Sequence, residues 1–448
     1  MGGVMEGRQS PIPACLKGIE EDLTNGLMPL TVFNNDEIYQ LEMQRIFMRT
    51  WVFIGHVSEL PNPGDFVARS IGRDPFIFTH SADGVFRVFF NACRHRGAKV
   101  CRVDSGNVDE FVCPFHGWTF NNKGELTGVP ARKSGYKQLD FAEWGLYQVP
   151  KLVNYHGLIF VALDPDAPSF EEYLGDYKWY LDIQFALSPK GMVVLGEPHR
   201  WIADANWKQG AENFCGDSSH TPTTHKSALS AGMVRKEFLT SPGQKFRVHA
   251  TCAGHSISIR QVDENTTAFW DYPEEVYRCF DGSRLDKSQL DVARRGINHN
   301  GTLFPNFSFL HFSFTDSADR PAAGFLSIRV WQPIAPGKTE IWNWIMAPAE
   351  APEDYKTRAY NVGMSSFGPS GSFEQDDLAL WPGIAQTAGT LFARKNRIKL
   401  NYQMGLDGMG DTHAPFGWPG PGHVLPTSAT EGGPRTFQRH WYQWMTKP

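Results

Sequence analysis

Cys93-Arg-His95 and Cys113-Pro-Phe-His116 each carry one cysteine and one histidine, with 17 residues between His95 and Cys113. Two thiolates and two imidazoles are the ligand set of a [2Fe–2S] cluster of the Rieske type, in which the cysteines hold one iron and the histidines the other. A structural zinc finger usually takes two cysteines from one element and two histidines from another, because all four converge on a single ion. Here each segment offers one ligand of each kind, so each can reach both irons. The competing readings are a mixed zinc site and cysteines that only pack in a core. A Rieske centre stores one electron, so the rest of the chain is read as the part that uses it.

A second concentration of chemistry lies at Asn206–His225, where Glu212, Asn213, Asp217, His220 and His225 fall within 20 residues. Asp217 and His220, three apart, would share a helix face, whereas His220 and His225 would diverge by about 140° on an ideal helix. The helix must therefore end or bend between them, and Pro222 is the expected cause. Two histidines aimed at one ion lack only a carboxylate to complete the facial triad of a ferrous oxygenase. Phe373-Glu-Gln-Asp376-Asp377, flanked by Gly371 and Trp381, offers two candidates. Taken singly, a histidine pair is more often an ordinary polar group and Asp-Asp a solvated turn; after a Rieske pattern, a mononuclear iron site is the better joint reading.

Elements must hold these residues in place. Asn35–Trp51 reads as an amphipathic helix with Ile38, Leu41, Ile46 and Phe47 at near-helical spacing and an Asn/Asp start. Trp51 to Asp164 is β-rich, with turn signals at Asp83-Gly84, Asp104-Ser-Gly106 and Asn121-Asn-Lys-Gly124. Both ligand segments follow strands, at Phe86–Phe90 and Phe111–Val112, which puts the cluster on loops at the tip of a small β domain, near solvent. After Pro165-Asp-Ala-Pro168 the segments lengthen, and the Gly/Pro-rich stretch from Pro415 to Pro434 suggests an extended, irregular arm.

The 448 residues fit two domains of unequal size. With 41% apolar and 13% aromatic residues there is material for a packed interior and an aromatic pocket. A net charge of −5 without charge runs favours neither nucleic acid nor an anionic membrane. Met1–Cys15 lacks the apolar core of a signal peptide and no run of 18 apolar residues occurs, so a cytoplasmic protein is expected. Seven scattered cysteines do not form a disulfide framework. Cys15, Cys101, Cys215, Cys252 and Cys279 default to free thiols.

Together these residues resemble the large (α) subunit of bacterial Rieske non-haem iron aromatic-ring-hydroxylating dioxygenases, from roughly Pro29 to Trp381. The resemblance rests on Cys-x-His-Arg-Gly at Cys93–Gly97, Cys-Pro-Phe-His-Gly-Trp at Cys113–Trp118, the Glu-Asn-Phe…Gly-Asp…His…His run, Phe304-Pro-Asn306 and Phe-Glu-Gln-Asp-Asp. It implies an α+β protein: an N-terminal arm and helix (1–50) packing on the catalytic domain, a small all-β Rieske domain (51–164), and a larger α+β catalytic domain (165–448) with an antiparallel sheet surrounded by helices. It implies cluster ligands Cys93, His95, Cys113 and His116, and iron ligands His220, His225 and Asp377, with Asp376 the lesser alternative. Asp217 then links an iron-ligand histidine to a cluster-ligand histidine of a neighbouring subunit. Asn213, Phe214, Phe367, Phe373 and Trp381 would face the substrate. The sequence departs from the family pattern at Cys215 and at the polar run Thr221-Pro-Thr-Thr.

The implied activity is that of a terminal oxygenase component, cis-dihydroxylating an aromatic ring with O2 and electrons from NADH. The ring could be a mono- or polycyclic hydrocarbon or an aromatic carboxylate, for which Arg260 is a candidate buried cation. The chain has no Gly-x-Gly-x-x-Gly element, so a separate reductase, with or without a ferredoxin, must feed it. Arg94, Lys99, Arg102 and Lys123 are candidate docking cations. A homotrimer, or an α3β3 assembly with a small β subunit, is expected. A Rieske monooxygenase or demethylase uses the same ligands and is the alternative; a pure electron carrier would lack the second metal.

Overall fold

The computed structural model describes residues 12–217, 219–233, 247–315, 320–406, 417–425 and 430–447. The expectation for most of Met1–Cys15, and part of that for Pro415–Pro434, lies outside the described residues.

The helix predicted from Asn35 begins as expected: the Asn35 side chain accepts from the Ile38 N–H and caps Asp36–Glu42. It continues as a wider π turn over Met43–Phe47 and stops short of Trp51, which opens the strand Trp51–His56. Glu42 is fully buried at the end of the regular turn. It accepts from Trp207 Nε1 (2.9 Å), Lys208 Nζ (2.6 Å) and Trp441 Nε1 (2.8 Å), joining the N-terminal arm to two distant helices. The strand Leu27–Pro29 pairs antiparallel with Lys399–Asn401, so the arm packs on the C-terminal half of the chain.

Three small antiparallel sheets follow. Phe86–Phe90, Asp74–His80, Asp65–Ile71 and Ser105–Asn107 make the first, and Glu110–Val112, Thr119–Asn121 and Leu126–Gly128 the second. Asp104-Ser-Gly106 was expected as a turn, but Ser105–Asn107 is a paired strand; a Cβ at Gly106 would come within 3.0 Å of the Phe66 ring, so this glycine serves close packing. These sheets enclose their own core of Phe66, Ile77, Phe89, Phe111, Trp118 and Phe120 around Cys93 and Cys113. The third sheet, Lys151–Tyr155, Leu158–Ala162 and Trp51–His56, belongs to the main core instead. Phe53 meets Phe307 and Trp344 with ring centroids 5.0 and 5.2 Å apart, so the seam between the two halves is itself packed core.

The larger half is built on a nine-stranded antiparallel sheet in the order Met192–Val194, Lys338–Pro348, Ala323–Ala335, Phe307–Phe314, Gly296–Leu303, His255–Gln261, Arg247–Cys252, His423–Leu425, with His199–Ala203 also on Lys338–Pro348. The chain is thus α+β, a small β domain joined to an antiparallel sheet with helices, as expected. Alternation along Ala323–Ala335 sends Phe325, Ser327, Arg329 and Trp331 to one face and Leu326, Ile328 and Val330 to the other. The first face meets the helices Trp207–Asn213, Glu353–Phe367 and Ser372–Leu378; the second lies over the strand that carries Phe53. Phe304-Pro305-Asn306 forms the turn between two sheet strands, with a cis Phe304–Pro305 bond. The Pro415–Pro434 stretch is less irregular than expected where described: His423–Leu425 extends the sheet edge and a helix starts at Gly432. Among the described residues no helix is long and apolar enough to cross a membrane.

Candidate metal centres

The two cluster segments fold into matching loops. Cys93 N–H donates to Ala98 O and Gly97 N–H to Cys93 O; Cys113 N–H donates to Trp118 O and Gly117 N–H to Cys113 O. Gly97 and Gly117 both take positive φ (75° and 69°), the left-handed turn that reverses each loop beneath its histidine. The thiols of Cys93 and Cys113 are buried and meet, and burial first, then Cys113, pushes the Cys93 thiol up. The His95 and His116 rings stand 4.5 Å apart in a T, and His95 stacks on Trp118. His95 Nδ1 is buried with no partner, a lone pair that an iron would use. The four residues are not gathered as a tetrahedral zinc site requires: among the described residues the one group of three such ligands within 4.8 Å is elsewhere. A set shared between two irons is wider, so the donors fit a cluster better than one ion.

That other group is His220, His225 and Asp377. Their positions depend on a break in the chain. Trp207–Asn213 is a helix capped by Asn206 through a reciprocal Asn206/Gln209 box. Gly210 lets it approach the Trp331 ring, where a Cβ would come within 2.4 Å. The helix ends at Asn213, and Gly216 (φ 94°) turns the chain. Asp217 and His220 therefore lie outside a helix rather than on one helix face. Pro222 does not terminate a helix: it sits in the first turn of Thr221–Thr224, where a missing N–H is tolerated. The bend falls at His225 (φ −95°, ψ 23°), between that turn and the helix Lys226–Ser230.

The result is convergence. His220 Nε2 and His225 Nε2 are 3.2 Å apart, and Asp377 Oδ1 lies 3.9 and 3.7 Å from them. Two imidazoles and one carboxylate in this arrangement are the facial-triad donor set for ferrous iron, with remaining positions free for other ligands. Behind each imidazole stands a carboxylate: Asp217 Oδ2 is 3.4 Å from His220 Nδ1, and Asp376 Oδ2 is 3.3 Å from His225 Nδ1. At His225 the Asp376 contact holds the Nδ1–H tautomer and leaves Nε2 bare for a metal, while Asp217 lies beside His220 Nδ1 without a formed hydrogen bond. Burial lowers the His220 pKa, but Asp217 and then Asp377 outweigh it and raise it. His225 is lowered by burial and by His220. Burial pushes Asp377 up to about 7. Asp376, the alternative ligand, faces away from the convergence point and accepts from Ser227 Oγ. The helix Ser372–Leu378 is anchored beneath by Glu374, whose carboxylate meets the fully buried Arg329 at 2.6 Å.

A cavity of about 700 Å³, a volume that includes open solvent at its mouth, opens onto His220, His225 and Asp377. Of the five residues expected to face substrate, Asn213, Phe214, Phe367 and Phe373 line it. Trp381 does not: it packs on Trp331 and faces a neighbouring cavity with Asp217, Glu212 and Tyr402. Trp381 is the first residue of the helix Trp381–Ala388. Phe312, Phe314, Arg247 and Asn300 also line it, with Thr221, Leu229 and Leu310, and lie outside the expected set. The two phenylalanines were legible in principle, since they alternate along Phe307–Phe314 and share a face. Arg260, the candidate cation, is not among the lining residues.

The four candidate docking cations do not form one patch. Arg94 donates to Gly145 O and covers the Tyr147 ring, and Lys123 pairs with Asp83. Lys99 and Arg102 line a separate cleft with Arg69, Arg73 and Arg200.

Residues 50–151 match the Rieske [2Fe-2S] domain family and residues 170–447 the ring hydroxylating alpha subunit catalytic domain. The chain is 37% identical to an N,N-dimethyl phenylurea N-demethylase subunit alpha from Sphingobium sp. (strain YBL2), over 94% of this chain and 92% of that one. It is 33% identical to a biphenyl dioxygenase subunit alpha from Paraburkholderia xenovorans (strain LB400), over 97% and 94%. Among solved structures, naphthalene 1,2-dioxygenase from Rhodococcus sp. bound to indole superposes with a TM-score of 0.89 at 38% identity, covering 96% of this chain and 97% of that one.

Proposed function

The chain belongs to the ring-hydroxylating alpha subunits, Rieske non-haem iron oxygenases with a [2Fe–2S] cluster and a mononuclear iron, and from that membership we propose its reaction: insertion of both atoms of dioxygen into an aromatic ring to give a cis-dihydrodiol. NADH is the electron source, through a separate reductase and a ferredoxin or the reductase alone. Cys93, His95, Cys113 and His116 hold the cluster, and His220, His225 and Asp377 hold the iron; when bound, these groups supply single electrons and dioxygen activation. The protein's own task is orientation and exclusion of water. Asp217 and Asp376 fix the two imidazoles, while Phe314, Phe367 and Phe373 hold a flat ring against the ligand set.

The observation that carries this reading is the meeting of a two-histidine, one-carboxylate set with an aromatic-walled cavity. Asp217, which lines both this cavity and its neighbour, serves as the link to a cluster histidine of an adjoining subunit. The chain then works as a homotrimer or as α3β3 with a small β subunit, in the cytoplasm where NADH is supplied.

A second reading, oxidative N-demethylation, is favoured by the 37% identity to the phenylurea demethylase subunit. A panel of arenes and N-methyl arylamines with a generic reductase and ferredoxin separates the two. Dihydrodiol from at least one arene is expected. Formaldehyde from the N-methyl compounds, with no dihydrodiol from any arene, would replace the first reading with the second.

A further inference from the structure

Arg247 opens the strand Arg247–Cys252 and lines the cavity that holds the three ligand side chains. It stands opposite Arg260 on the next strand. Arg260 in turn stands opposite Asn298, and Asn300, two residues on, shares that face. Asn300 is opposite Leu310, and Phe312 and Phe314 follow at the same alternation. The cavity floor is therefore graded along the sheet, from Arg247 and Asn300 at one end to Phe312 and Phe314 at the other.

The Arg247 Nε is buried and has no hydrogen-bond partner. The carboxylates in the cavity, Asp217 and Asp377, are engaged with His220 and with the ligand set. Among the described residues the one charge that perturbs Arg247 is a second cation: burial and then Arg260 pull its pKa down to about 10, which still leaves it charged at neutral pH. Arg247 is half-buried, with its Nε out of water and unpartnered, and a guanidinium is built to receive a carboxylate through two parallel hydrogen bonds.

We propose that the cavity takes an aromatic ring bearing a carboxylate, the ring lying against the wall made by Phe314 and Phe373 and the carboxylate on Arg247. This rests on the reading of the cavity as an aromatic-substrate site and specifies its substrate class. Phe314 and Phe373 have ring centroids 4.7 Å apart, and Phe373 lies 5.0 Å from the His225 ring, so the apolar wall adjoins the ligand set. The charged end lies across the floor from that wall.

The test uses the full chain with both metal centres loaded, titrated calorimetrically with benzoate, benzamide and toluene. Benzoate is expected to bind at least tenfold more tightly than benzamide, which has the same shape without the charge. Arg247→Met should weaken benzoate roughly ten- to hundredfold and leave toluene within about twofold; Arg247→Lys should retain part of the benzoate preference. Cluster absorbance and melting temperature report whether each variant is folded, and the benzoate-to-benzamide ratio of the unaltered protein stands without any variant. Equal binding of benzoate and benzamide, or an Arg247→Met protein that keeps its benzoate preference, overturns the proposal while toluene binding leaves the aromatic cavity intact. Failure of all three compounds to bind overturns the aromatic cavity itself.

Discussion

Asp376 and Asp377 are consecutive in sequence yet meet opposite edges of one imidazole: Asp376 Oδ2 is 3.3 Å from His225 Nδ1, and Asp377 Oδ1 is 3.7 Å from His225 Nε2. On the proposed assignment Asp376 would orient the ring and Asp377 would share its metal. Asp377→Asn should therefore lose the mononuclear iron and all turnover. Asp376→Asn should keep a site with iron affinity weakened roughly 10- to 100-fold. Iron titration of the two variants checks this, and a reversed ranking would make Asp376 the ligand.

The two candidate centres are built on different cores, the cluster loops among Phe66, Trp118 and Phe120 and the His220, His225, Asp377 group in a cavity lined by Phe312 and Phe314 of the large sheet. His220→Ala should abolish turnover with the Rieske absorbance unchanged. His95→Ala should remove that absorbance and stop repeated turnover. Visible spectra of both variants, alongside iron content falling from three per chain to two in His220→Ala, test the division.

Asp217 stands 3.4 Å from His220 Nδ1 and borders both cavities. Asp217→Asn presents one acceptor oxygen and an unwanted donor where the carboxylate could accept from two imidazoles. Electron transfer from cluster to iron in a single turnover should slow by a large factor while iron content stays near the native value. A native transfer rate would remove the linking role, and loss of iron would make Asp217 a ligand.

Arg329 and Glu374 form an ion pair with almost no exposure, and the guanidinium also donates to Phe367 O at 2.7 Å. Glu374→Ala leaves that cation uncompensated beneath the helix that carries Asp377. A loss of roughly 3–5 kcal/mol in stability is expected, read by denaturant unfolding. A change below about 1 kcal/mol would mean that water or rearrangement satisfies Arg329.

The candidate metal segments stand out in local sequence because each is short. Cys93–Gly97 and Cys113–Gly117 carry ligand and turn residue within one loop, and His220–His225 needs only a break, although Gly216 and the backbone at His225 make it rather than Pro222. What failed depended on elements far apart. Trp381 packs on Trp331 of the large sheet and faces the neighbouring cavity, a placement its own segment does not fix. Arg260 was visible as a buried cation, but its cross-strand partner Arg247 lines the cavity, and the pairing of the two strands decides that. The strand Trp51–His56 reads as part of the small domain, while Phe53 reaches the large sheet.

The central claim is that both atoms of O2 enter one aromatic ring, and heavy-isotope dioxygen tests it most directly. Turnover of an arene with the reductase pair under labelled O2, followed by mass spectrometry of the product, should show a dihydrodiol carrying two labelled oxygens. A product carrying one labelled oxygen, with no dihydrodiol detected under conditions in which an authentic cis-dihydrodiol survives without losing water, would contradict dioxygenation and make the chain a monooxygenase.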